Sequence, residues 1–267
     1  GATATKDATG NLIIGWNETP DARDRSGSHN LVIGEWHSWS ATGGIVAGFS
    51  NTISAESASV VGGAYNHASG FGAAILGGGS NNARGSDSTV SGGNRGFATG
   101  RWSSVAGGDA GTASGVSSFV AGGTGNAATG SFTTVTGGSN NEASGNVAAV
   151  CAGTGNLAAG MGATVVGGEY SSAGDVEDGI GATVVGGSMN TALANGTTVV
   201  GGFDNEALGY GSTISSGIRN RATGNYSTVN GGSFNTAEGR TSTVGGGAHR
   251  TASGESDWVA GSLFEDE

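Results

Sequence analysis

Residues 86–130 read SDSTVSGGNRGFATG, RWSSVAGGDAGTASG and VSSFVAGGTGNAATG. Set as three lines of fifteen, they align without a gap: Val at position five, Gly-Gly at seven and eight, Ala at thirteen, Gly at fifteen. Working outward, the apolar anchor recurs at Ile45, Val60, Ile75, Val90, Val105, Val120, Val135, Val150 and Val165, and again at Val184, Val199, Ile214, Val229, Val244 and Val259. A short period held over this many copies means that each copy is one structural unit stacked on the next.

The pattern inside one copy gives the shape of that unit. The residue two before the anchor is small (Ala58, Ala73, Ser88, Ser103), and the residue two after it is nearly always Gly (Gly62, Gly77, Gly92, Gly107). Small, apolar, small at every second position is the inward face of a strand, because strand side chains alternate sides. Ala recurs eight after the anchor, from Ala68 to Ala252, as the inward residue of a second short strand, with Ile53 as the exception in the first copy. The spacing predicts an all-β fold, a parallel β-roll or solenoid with coils of about 15 residues. An Asn recurs six after the anchor, at Asn51, Asn66, Asn81, Asn126 and onward, and reads as a structural ladder bonding amide to amide and satisfying turn backbone.

Residues 42–261 carry the repeat, with an insertion about 169–183 where the anchor spacing lengthens. Residues 1–41 read as irregular opening coils and a cap, and 262–267 as a charged tail.

Composition narrows the function. Among 267 residues, 57 are Gly and one is Pro, yet Gly does not fall at every third position, so collagen is excluded. Only 12% of residues are charged, the net charge is −11, and no basic cluster exists to hold phosphates; nucleic acid is not an expected partner. The single cysteine, Cys151, has no partner for a disulfide within the chain. No long apolar run suggests membrane insertion by this segment, and the start at Gly1 reads as a processed product or excised segment whose signal and anchor lie elsewhere.

The phrases STVSGGNRGFATG (88–100), TTVTGGSNNEASG (133–145) and STVNGGSFNTAEG (227–239) resemble the head repeats of trimeric autotransporter adhesins of the YadA-like type. That resemblance implies a left-handed parallel β-roll, a homotrimer, a location outside the cell or on its surface, and an adhesive role. It covers residues 42–261 and no stalk or anchor. The residue after the anchor points outward, and in several copies it is apolar: Val46, Val61, Leu76, Cys151, Val166, Val185 and Val200. Val46, Val61, Leu76, Val166, Val185 and Val200 are therefore the trimer-interface candidates, since exposed apolar rows mark contacts.

No nucleophile elbow, zinc spacing or P-loop occurs, so no catalysis and no essential cofactor are expected. Asp175, Glu177 and Asp178 in the insertion offer oxygen ligands to Ca²⁺, against the simpler reading of a solvated loop. Trp16, Trp36, His37 and Trp39 cluster near the start and are the ligand-contact candidates, for a host or matrix glycan or protein. The same aromatics would also serve as a cap on the first coil. The leading expectation is a non-catalytic extracellular module, an adhesive or spacer head of a trimeric fibre. The alternatives are a structural subunit of a filament or phage-like tail fibre, and an ice- or crystal-binding solenoid suggested by one Thr per coil at Thr164, Thr183, Thr198, Thr213, Thr228 and Thr243.

Overall fold

The structure, a computed structural model, describes residues 8–15, 23–175 and 179–261. Every regular element among them is a β-strand, most of two residues. The chain divides into two compact units, Gly1–Phe132 and Thr133–Glu267, and each is a parallel β-solenoid.

In the first unit one ladder runs through Leu12–Ile14, Leu31–Glu35, Ile45–Phe49, Ser59–Val60, Ala74–Ile75, Thr89–Val90, Ser104–Val105 and Phe119–Val120, each paired in parallel with the next. A second ladder runs from Ser38–Trp39 and Thr52–Ile53 through His67–Ala68 to Ala127–Ala128. In the second unit the same two ladders run from Thr134–Val135 to Trp258–Val259 and from Glu142–Ala143 to Thr251–Ala252. A third line of single-residue parallel bridges joins the coils as well, for example Ala64↔Gly79↔Asn94 and Ser188↔Phe203↔Ile218. The sequence predicts only two contacts per coil. One-residue bridges have no alternation to betray them.

The core follows the alternation closely. The anchor Val and Ile residues from Val60 to Val244 and the Ala row from Ala68 to Ala252 are fully buried. Each buried Val contributes about 2 kcal/mol and each Ala methyl about 0.8, so a coil gains little from its side chains alone. Backbone bonds between coils supply the rest of the cohesion, such as Ser59 N to Ala73 O and Val61 N to Ile75 O, both 2.9 Å.

The first anchor is a correction. Val46, not Ile45, lies in the inner row: Val46 pairs with Val60 and with Val32, and it is 0% exposed, whereas Ile45 pairs with Ser59 and faces out. Val46 consequently drops out of the outward row. The coils starting at Val32 and Val46 are one residue shorter than the others, with a single Gly, Gly34 or Gly48, where later coils have two. A strand pattern aligned backwards at a fixed fifteen slips by one there, which turns inside to outside. The ordered ladder also extends into the region read as an irregular opening, since Leu31–Glu35 and Ser38–Trp39 are paired strands.

The insertion is narrower than the expected 169–183. Glu169 still bridges to Ser188 and Ala173 pairs with Ala192, while the Gly160 turn packs against Gly179. The four extra residues therefore fall in sequence between Ala173 and Gly179, where 176–178 lie outside the described residues.

The Asn ladder is buried, and it bonds chiefly to backbone rather than amide to amide. Asn66 Nδ2 donates to Gly62 O at 3.2 Å in its own coil and to Gly78 O at 3.1 Å in the next, and its Oδ1 accepts from Asn81 N at 3.0 Å. An amide-to-amide bond joins Asn205 Nδ2 to Asn190 Oδ1 at 3.1 Å. Gly96 and Gly111 take the Asn position in two coils of the first unit.

Candidate functional site

The corner after the third bridge is where side chains leave the regular pattern. Trp36, Ser50 and Tyr65 stand there in successive coils with φ near +60°, held by Ser50 N to Glu35 O (2.9 Å) and Tyr65 N to Phe49 O (3.1 Å). Non-Gly residues in this left-handed region are uncommon and cost free energy. The stacked backbone bonds of neighbouring coils hold them in it.

Trp36 is 45% exposed, Phe49 39% and Tyr65 61%. The Trp36 and Phe49 rings lie 6.0 Å apart at 29°, and Phe49 meets Tyr65 edge-on at 5.7 Å. Arg23 fixes one end of this strip. Its guanidinium sits 5.5 Å from the Trp36 ring centre, while Nη1 donates to Trp36 O and to Ser50 Oγ (3.1 Å). Glu35 is exposed on the strand beside it. The result is an apolar strip three coils long, with one cation and one carboxylate close by.

The four ligand-contact candidates do not come together. Trp16 lies outside the described residues. Trp39 is 3% exposed, pairs with Ile53 in the inner row and has Arg25 5.4 Å from its ring centre. It is core, and so is His37, which is fully buried. Of the three described candidates, Trp36 alone reaches the surface. The reason is strand parity: Trp39 falls on the inward phase of Ser38–Trp39, and Trp36 falls on the corner. Phe49 and Tyr65 were not singled out in the sequence because they occupy variable positions between the Gly residues and the Asn. Size alone does not mark them, since Phe203, Tyr170 and Phe234 fall at the same repeat positions.

The outward row is exposed at Val61, Leu76, Val166, Val185 and Val200, and Cys151 is exposed beside it. Of the three carboxylates proposed for Ca²⁺, Asp175 is exposed, and Glu177 and Asp178 lie outside the described residues. Among the described residues, no group of three or more His, Cys, Asp or Glu side chains is placed to hold a metal. No helix among them is long and apolar enough to cross a membrane. A cleft of about 170 Å³ lined by His29, Thr42, Gly43, Glu56 and Ser57 is small beside the several hundred Å³ of ordinary ligand pockets.

In the second unit Tyr210 and Tyr226 pack edge to face at 5.3 Å, and Phe234 stacks on His249 at 5.0 Å and 5°, with Arg219 5.6 Å from the Phe234 ring centre. Arg219 also pairs with Asp204 at 3.2 Å. Tyr210, Tyr226 and Phe234 are 50%, 51% and 43% exposed, comparable with the first-unit strip. No protein-family model matches the sequence, and no curated protein matches it either.

Proposed function

We propose that this chain is a non-catalytic extracellular surface module, an adhesive or spacer head of a homotrimeric fibre, that makes contact through Trp36, Phe49 and Tyr65. The observation that carries the reading is the strip itself: Trp36, Phe49 and Tyr65 are exposed on three successive coils, in ring-to-ring contact, with Arg23 packed on Trp36. Exposed aromatics on a rigid frame give much desolvated area for little ordering cost, which is how binding hot spots are built. Arg23 and Glu35 add polar partners at its edge. A host or matrix glycan or protein fits that chemistry. The exposed outer row is the surface on which three copies would associate, as the resemblance to autotransporter heads implies. The test is binding to an immobilised panel of glycans and matrix proteins by the wild type and by Trp36→Ala. Loss of a wild-type signal in the variant supports the strip; equal binding removes it.

One observation favours a second reading. Thr164, Thr183, Thr198, Thr213, Thr228 and Thr243 are direct partners in the second unit's ladder, one per coil, about 4.8 Å apart. Such a row suits an ordered lattice, ice included. The outward positions two residues on are Val166, Val185, Val200, Ser215, Asn230 and Gly245, not Thr, which makes the surface uneven and leaves the adhesive reading ahead. Thermal hysteresis in the wild type, lost in Thr198→Leu, would reverse that order.

A further inference from the structure

His37 occupies the Asn rung of its coil. The register Glu35↔Phe49 and Ser38↔Thr52 sets it directly beside Asn51. It reproduces two of the Asn bonds: Nε2 lies 3.0 Å from Ile33 O, four residues back, and Nδ1 lies 3.2 Å from Asn51 N in the next coil. A carbonyl only accepts and a backbone N–H only donates. The ring is therefore neutral, with its proton on Nε2. Adding a proton to Nδ1 would turn it from the acceptor of the Asn51 N–H into a second donor facing it. An amide in the same place has no such second state.

Arg23 would repel a charged ring. Arg23 comes from the segment before the strand, and Arg25 Nε donates to His37 O at 3.4 Å. Asp24 between them is exposed, with Oδ1 accepting from Ser26 N at 3.0 Å. Glu35 is exposed on the same strand, and the next coil brings the uncharged Gly48 and Asn51 backbone to the ring. Burial lowers the ring's affinity for a proton below the ordinary value. The Ile33 and Gly48 carbonyls partly offset this, and Arg23 adds to it. An unfolded His takes up its proton near pH 6.5. The stability that depends on neutral His37 is thus fully present above that pH. It drains away as pH falls toward the lower folded value.

We propose that protonation of His37 opens the first coils in mild acid and dismantles the Trp36–Phe49–Tyr65 strip, so that contact through the strip is released as pH falls. Trp36 precedes His37 directly, and Asn51, its hydrogen-bond partner, follows Phe49 by two residues; the ring thus ties together the coils of Trp36 and Phe49, two of the three that carry the strip. The release rests on the reading of the strip as the contact surface; the opening does not.

The test is hydrogen exchange on the full chain, wild type and His37→Asn, between pH 7 and pH 5, with protection corrected for intrinsic rates. Wild-type protection of the Asn51 amide and of Leu31–Glu35 should fall by about tenfold per pH unit below 6.5, the slope of one linked proton. In His37→Asn, whose amide restores the ordinary rung, it should stay flat. His67, whose proton affinity burial also lowers, with Arg84 adding to the effect, is present in both proteins and cancels. Equal slopes in both proteins, or a flat wild type, would overturn the proposal. Should His37→Asn fail to form its coil, ring-nitrogen NMR of the wild type decides. Titration of His37 with loss of the Asn51 amide signal supports the proposal, and titration that leaves that signal in place refutes it. A coil that opens in acid in a chain whose Trp36→Ala variant binds normally would remove the strip reading and leave the opening standing.

Discussion

At the scale of the residue, the doubled Gly divides into two unlike positions. A Cβ on Gly93, at φ +83°, would stand 2.3 Å from the Gly108 carbonyl oxygen; around Gly92 there is nothing within 4 Å and φ is not left-handed. The chain itself replaces the first member, with Ala152 before Gly153 and Ser216 before Gly217. Gly92→Ala should therefore leave the protein as stable as before or raise stability by about 0.4–1 kcal/mol through the unfolded state. Gly93→Ala should cost more than about 2 kcal/mol, from left-handed strain plus the clash. Thermal melts of the two variants check this, and equal midpoints would contradict it. The sequence displayed Gly-Gly as one motif. Which member is obligatory depends on φ and on the coil above, and neither is written in the phrase.

At the scale of the element, alternation made the inner rows legible. Val120, Ala128 and their equivalents are buried as the period requires. Val120→Asp should lower stability by about 4 kcal/mol, because a lone carboxylate would enter a core with nothing to pair it. An unchanged melting midpoint would contradict the inward assignment. Legibility failed where the period itself changes. The shorter coils beginning at Val32 and Val46 shifted parity, so Ile45 was read as an anchor and Val46 as an outward residue. The same stretch held Trp36 and Trp39, three residues apart and alike in type, of which one is a surface group and the other core. Only strand phase separates them, and that phase is fixed by pairing with Phe49 and Ile53. The strip was missed for a related reason. Phe49 and Tyr65 occupy neighbouring positions of the repeat and meet on the diagonal between coils, Phe49 opposite Ala64 and Tyr65 beside it, a contact the aligned phrases do not display.

At the scale of the whole molecule, the proposals concern what the surface meets. Val61, Leu76, Val166, Val185 and Val200 are apolar and exposed on a chain with net charge −11. Sedimentation equilibrium at micromolar concentration should give three times the 25.6 kDa chain mass, and Val166→Glu with Val185→Glu should reduce it to one. A wild-type mass of one chain would contradict the trimer. The acid response of His37 adds a condition, because binding should be measured at pH 7 and above, where its coil is intact. The central claim is that Trp36 contacts a ligand and Trp39 holds the fold. The direct measurement compares Trp36→Ala and Trp39→Ala for binding to the glycan and matrix-protein panel and for melting midpoint. Trp36→Ala should lose binding with its midpoint within a degree or two of the wild type. Trp39→Ala should lose about 3–5 kcal/mol of stability. Binding that survives Trp36→Ala, or a Trp36→Ala midpoint that falls as far as that of Trp39→Ala, would make the strip a cap and contradict the account.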